Sequence, residues 1–108
     1  MKNTLNEITK DIMSLASKKG FGTKPEEIEL GEKFALLHTE VSEAYQAYRK
    51  NNLDGKNGFN EELADIILRT LHICGIYGID IEKEIDEKMS YNKDREWDWD
   101  SLNEKHVK

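Results

Sequence analysis

The stretch EELADIILRTLHICGI, residues 61–76, decides the fold. A helix drawn through it carries Leu63, Ala64, Ile66, Ile67, Leu68, Leu71, Ile73 and Ile76, leaving almost no polar side. A helix that is apolar all round is normally buried among others. Yet Glu62 and Asp65 stand within it, one turn apart on one face. Upstream, LLHTEVSEAYQAY, residues 36–48, repeats the conflict. At about 100° per residue, Leu36, Leu37, Ala44 and Ala47 cluster around Glu40, and Val41 and Tyr48 widen the apolar arc. Glu43 borders the arc on its other edge. An unpaired buried carboxylate is costly, so four of them directed inward demand protons, partners or cations.

The rest of the chain reads as helices joined by short links. Residues 4–18 place Leu5, Ile8, Ile12, Leu15 and Ala16 at helical spacing, with Thr4 as the cap. KKGFGTKP, residues 18–25, breaks that pattern with two glycines and Pro25. Helices are then expected over about 27–50, 59–77 and 80–93. The polar turn KNNLDGKNG (residues 50–58) and the segment YGID (residues 77–80) separate them. No alternating strand pattern or solenoid repeat interrupts this reading. The expected architecture is all-α, a four-helix bundle-like subunit of antiparallel neighbours. Residues 96–108 form an acidic tail without periodicity, for which two readings stand: Trp97 and Trp99 as anchors to the body or to a second subunit, or a mostly disordered end.

With 108 residues, the chain is one domain with a modest core, which association into oligomers would extend. The net charge of −6 opposes direct nucleic-acid binding, whose footprint is basic. An anionic ligand remains compatible if a cation mediates. Cys74 is the sole cysteine, so no internal disulfide forms, which suits the cytoplasm. The first residues, MKNTLNEITKDIMSL, do not read as a signal peptide, and no apolar run approaches a membrane span.

Two readings of the acids follow. A divalent ion would neutralise them together, and an all-oxygen donor set favours Mg²⁺, with Mn²⁺ as a substitute. Ordinary ion pairs are the alternative, because Arg69 follows Asp65 by four residues and Lys33 precedes Glu40 by seven on the same face. On the fourth helix, Ile81, Ile85, Lys88 and Asn92 share a face that Arg95 continues. That row offers a point charge, an amide and a forked guanidinium to phosphate oxygens. The plainer account is a solvated helix end whose cations favour the dipole.

The ordered set ExxE at Glu40–Glu43, ExxD at Glu62–Asp65 and KxxYNxxR from Lys88 to Arg95 resembles the MazG-like all-α nucleoside triphosphate pyrophosphohydrolases. The resemblance covers about residues 8–95. It implies a helical catalytic domain over residues 1–95 that hydrolyses nucleoside triphosphates, deoxy or modified ones among them, between the α and β phosphates with Mg²⁺. The products would be a nucleoside monophosphate and pyrophosphate. By position, Glu40, Glu43, Glu62 and Asp65 become metal ligands, one of them serving the attacking water instead. Lys88, Asn92 and Arg95 match phosphate-facing positions. The resemblance also implies a homodimer or a dimer of dimers. The chain departs from the family after Arg95, where Glu96 and WDWD replace the usual proline and glycine-rich basic segment. Phe21, Phe34 and Tyr48 are the candidates for base stacking, although Phe34 and Tyr48 read first as core residues.

Rival enzymes fit less well. A di-iron bundle needs Glu-x-x-His pairs, but Ala35, Arg69 and Asn103 precede His38, His72 and His106 by three. No His-Asp doublet supports a histidine–aspartate phosphohydrolase. His38 and His72 read as structural, and Cys74 as a small hydrophobe rather than a nucleophile. The remaining rival is a non-catalytic helical interaction module that keeps the fold.

Overall fold

The computed structural model describes residues 3–95. The expected roles of Trp97 and Trp99 lie outside the described residues. Four helices make up the architecture: α1 (Leu5–Lys19), α2 (Leu30–Arg49), α3 (Phe59–Tyr77) and α4 (Ile81–Asp94). No strand occurs among the described residues, as the period of the apolar positions requires.

The local signals that start and stop α1 are those in its sequence. Thr4 accepts a hydrogen bond from the Glu7 amide at 3.2 Å, and the Glu7 carboxylate accepts from the Thr4 amide at 2.9 Å. This reciprocal capping box satisfies two amides that the first turn leaves without partners. Gly20 ends the helix in the left-handed region at φ 76°.

The second helix begins later than its expected start at residue 27. Pro25–Glu27 instead forms a 3₁₀ turn, and Ile28 and Glu29 are extended. The cause lies in Glu27, whose carboxylate accepts from both the amide and the hydroxyl of Thr23. Those bonds hold Glu27 to the loop before it, so α-helical geometry starts only at Leu30.

Packing centres on α3, which lies against α2 on one side and α1 on another, while α4 rests on α1. The buried apolar residues are Ala16, Ala44, Ala47, Leu71, Cys74 and Ile76. Most are small, so the helices meet at close range. Gly75 on α3 faces Met13 and Thr9 of α1, and a methyl group there would overlap the Met13 side chain.

The expectation that α3 is enclosed on every side is not met within one chain. Leu63, Ile67 and Leu68 are 41%, 54% and 44% exposed, so one flank of α3 faces outward. Phe34, Val41, Tyr45 and Tyr48 of α2 are likewise exposed, so Phe34 and Tyr48 are not core residues. The reason is topological. Only α1 and α2 cover α3 extensively, and α4 packs on the far helix, so part of the apolar arc has no neighbour.

The loop between α2 and α3 fixes how those two helices align. Asn52 donates its amide to the Ala47 carbonyl at 2.9 Å, and the Asn52 and Leu53 carbonyls accept from Phe59 and Asn60 at 2.9 and 3.0 Å. Asn51 and Asn57 adopt left-handed φ values of 63° and 58° to make the reversal, a conformation asparagine tolerates better than most residues. At Gly58 the chain passes so close to itself that an added methyl would lie 2.7 Å from the Gly55 carbonyl oxygen. Gly58 also supplies the carbonyl that accepts the Glu62 amide at 2.9 Å. Gly58→Ala is therefore expected to lower stability by about 1–3 kcal/mol through overpacking against backbone. Urea unfolding of the two proteins in parallel measures it, and unchanged midpoints would show that the loop relaxes freely.

Candidate metal centre

The antiparallel pairing of α2 and α3 brings acids from both helices to one place. Glu40 of α2 and Glu62 and Asp65 of α3 each offer a carboxylate oxygen, and the three oxygens lie within 4.8 Å of one another. Glu62 is 4% exposed. One oxygen of Glu62 (Oε2) and one of Glu40 (Oε2) are buried without a hydrogen-bond partner. Buried polar atoms are almost always satisfied in folded proteins. Two orphaned carboxylate oxygens in one cluster fit a cation or a shared proton.

Ordinary ion pairs account for only part of this charge. Arg69 reaches across to Glu40, Nε to Oε1 at 3.2 Å. Helical spacing alone offers it to Asp65, its neighbour four residues back. Lys33 does not serve Glu40: its ammonium approaches Nδ1 of His72 at 3.3 Å. The second nitrogen of His72, Nε2, is 3.0 Å from the Gly22 carbonyl. A neutral imidazole satisfies both contacts when Nε2–H donates to that carbonyl and Nδ1 accepts from the ammonium. His72 is thus structural, as its sequence context suggests.

Glu43 lies one turn beyond Glu40 and is electrostatically linked to Glu62. The Glu62 carboxyl is pushed up to about 7, first by burial and then by Glu43 and Glu40, which accept hydrogen bonds from its protonated form and repel its charge. Without a cation, the cluster therefore keeps a proton on Glu62 up to neutral pH. The three converging donors, Glu40, Glu62 and Asp65, are hard carboxylate oxygens of the kind that could hold Mg²⁺ or Mn²⁺, and Glu43 is not among them. Burial raises the Cys74 thiol as well, so it stays protonated and unreactive.

The expected phosphate-facing row is placed with α4 on α1. Lys88 and Arg95 approach the Tyr91 ring at 5.1 and 6.0 Å from its centroid, and Asn92 is partly buried. A different polar wall stands beside the acids. Gln46, Lys50, Asn52 and Asn57 line a cavity of about 500 Å³ together with Glu43 and Glu62. Asn52 and Asn57 were passed over because the asparagines of KNNLDGKNG are fully explained as turn formers, and Lys50 because a cation at a helix C-terminus is explained by the dipole.

Comparison of the chain with protein-family models, with curated proteins and with solved structures gives no match. Geometry and donor chemistry carry the interpretation of the site.

The raised carboxyl has a consequence for stability. Between pH 4.5, the ordinary value, and about 7, the folded chain holds a proton on Glu62 that the unfolded chain has lost. Stability then falls as pH rises, because the folded state binds more protons across that window. The contribution is fully present below pH 4.5 and lost as pH passes about 7. Urea midpoints measured across this range should decline in the wild type relative to Glu62→Gln, and added Mg²⁺ should reverse the decline above pH 7. Parallel pH profiles for the two proteins would remove Glu62 as the proton-holding group.

Proposed function

We propose that this chain is a Mg²⁺-dependent nucleoside triphosphate pyrophosphohydrolase, cleaving between the α and β phosphates to release a nucleoside monophosphate and pyrophosphate. The observation that supports it is the buried, unpartnered Glu62 oxygen set among Glu40 and Asp65, with oxygens of all three residues within 4.8 Å. Acids on ExxE and ExxD spacings become useful only when two helices align them, and α2 and α3 bring Glu40, Glu62 and Asp65 together.

In this reading Glu40, Glu43, Glu62 and Asp65 hold Mg²⁺, with Mn²⁺ as a substitute. Bound metal screens the phosphates and lowers the pKa of a coordinated water. The protein's own part is to fix its carboxylates before the metal arrives. Arg69 restrains Glu40 through one oxygen and leaves the other available. One of the four acids accepts the proton of the attacking water. Lys88, Asn92 and Arg95 are candidates for the phosphate oxygens by their KxxYNxxR spacing.

The outward apolar flank of α2 and α3 supports a homodimer or homotetramer, with a second copy of the chain covering Val41, Tyr45, Ile67 and Leu68. No fully buried large side chain occurs among the described residues, so the protomer gains from apolar area that association removes from water. No helix among the described residues is long and apolar enough to cross a membrane. The lone buried thiol and a nucleotide substrate suit the cytoplasm. The acidic charge of −6 favours a small metal-bound anion over direct contact with nucleic acid.

Canonical and modified ribo- and deoxyribonucleoside triphosphates, incubated with and without Mg²⁺, test the reading. Pyrophosphate and the matching monophosphate should appear only with metal. Diphosphate and orthophosphate would move the cleavage site, and no turnover across the panel would favour the interaction module. Glu62→Gln should abolish turnover while circular dichroism still reports a helical fold. A variant with wild-type rate would remove Glu62 from the chemistry.

A further inference from the structure

The cavity beside the acids is lined by two chemically different kinds of group. Glu43 and Glu62 contribute carboxylates. Gln46, Lys50, Asn52 and Asn57 contribute amides and an ammonium. Asn52 is committed to the loop, since its Oδ1 accepts from the Gly55 amide at 3.1 Å and its Nδ2 donates to the Lys56 carbonyl at 3.3 Å. The side chains of Gln46, Lys50 and Asn57 have no hydrogen-bond or ion-pair partner among the described residues. Lys50 closes α2, and Asn57 is held at φ 58°, so both belong to the loop that sets the α2–α3 register. The buried Glu62 oxygen without a partner belongs to a residue that lines the same space.

A bare metal ion can take the carboxylates and amide oxygens but leaves the Lys50 ammonium unused, because an ammonium donates and cannot ligate. A bare anion meets the carboxylates unfavourably. A metal-bound polyphosphate satisfies both kinds of group, its cation on the acids and its oxygens on the donors. The volume of about 500 Å³ lies in the range of roughly 300–1,000 Å³ usual for small-molecule sites.

We propose that this cavity seats the phosphate chain of a metal-bound polyphosphate, with Lys50 as its principal cation and the Gln46 and Asn57 amides as further donors. The proposal rests on the metal-dependent reading above and adds to it a phosphate subsite on the α2–α3 loop, distinct from the α4 row of Lys88, Asn92 and Arg95. Lys50 acts on the bound anion and takes no part in holding the metal.

Calorimetric titration of the full chain separates these statements. MnCl₂ alone probes the acids, and inorganic tripolyphosphate with saturating Mg²⁺ probes the cavity. Lys50→Gln should weaken tripolyphosphate binding by about tenfold, the size of one charge-assisted hydrogen bond. Its Mn²⁺ affinity should match wild type, and Lys50→Arg should recover most of the loss. Lys10→Gln, which removes one positive charge from α1, should bind both probes as wild type does. Equal tripolyphosphate affinity in Lys50→Gln and wild type would overturn the subsite, as would an equal loss in Lys10→Gln. Loss of Mn²⁺ binding in Lys50→Gln would make the lysine a support of the acids and also overturn it. Wild-type protein that takes Mn²⁺ but no tripolyphosphate would overturn the subsite alone. Wild-type protein that takes neither probe would overturn the metal reading and the subsite together.

Discussion

The register between α2 and α3 is the constraint on which the remaining features depend. Residues 50–58 reverse the chain and bind it back to itself through the Asn52 and Leu53 carbonyls, so α3 starts at a fixed height beside the end of α2. A helix rises about 1.5 Å per residue and turns about 100°, so a slip of one residue would rotate Glu62 and Asp65 away from Glu40. Apolar packing alone would hold such a pair weakly, since Ala44 and Ala47 present little shape to lock against. Backbone hydrogen bonds in the loop supply the precision that small side chains do not.

That alignment creates an electrostatic problem the protein only partly solves. Arg69 neutralises Glu40 through a single contact and is itself 43% exposed, so solvent weakens the pair. Glu62 has no cationic partner among the described residues, and its own proton is the remaining means of lowering the charge. A fold selected for stability alone would replace such a residue by a hydrophobe of similar size. Keeping the carboxyl there is understandable when the site has a ligand to receive.

Much of the fold could be read from periodicity, caps and turn residues. Thr4, Gly20 and Gly78 mark helix ends by mechanisms visible in the chain itself. The late start of α2 was hidden because it depends on Glu27 turning back to Thr23, a side-chain choice that an amphipathic pattern does not encode. The outward flank of α3 was hidden for a different reason: period and composition report how apolar a helix is, and not how many neighbours it has. At the site, the helix repeat placed Glu62 and Asp65 on one face of α3, and Glu40 meets them across the helix pair, whereas Glu43, expected as a fourth member, is not among the three residues whose oxygens converge. Arg69 crossing to Glu40 depends on tertiary distance, and helical spacing offered only Asp65. Asn57 was masked by its adequacy as a turn residue, and Lys50 by its place at the C-terminal end of α2.

The imidazole of His72 joins three parts of the chain: α3, α2 and the loop after α1. One ring nitrogen meets Lys33 on α2, the other meets the Gly22 carbonyl in the loop after α1, and the ring itself grows from α3. Such a ring acts as a polar rivet. Phe21, 58% exposed, lies one residue from that carbonyl, and its own amide is bonded to the Ala16 carbonyl at 3.0 Å. Where half of the buried apolar side chains among the described residues are alanines, orientation is delegated to side chains that usually decorate a core, and conformational precision becomes a property of hydrogen-bond direction.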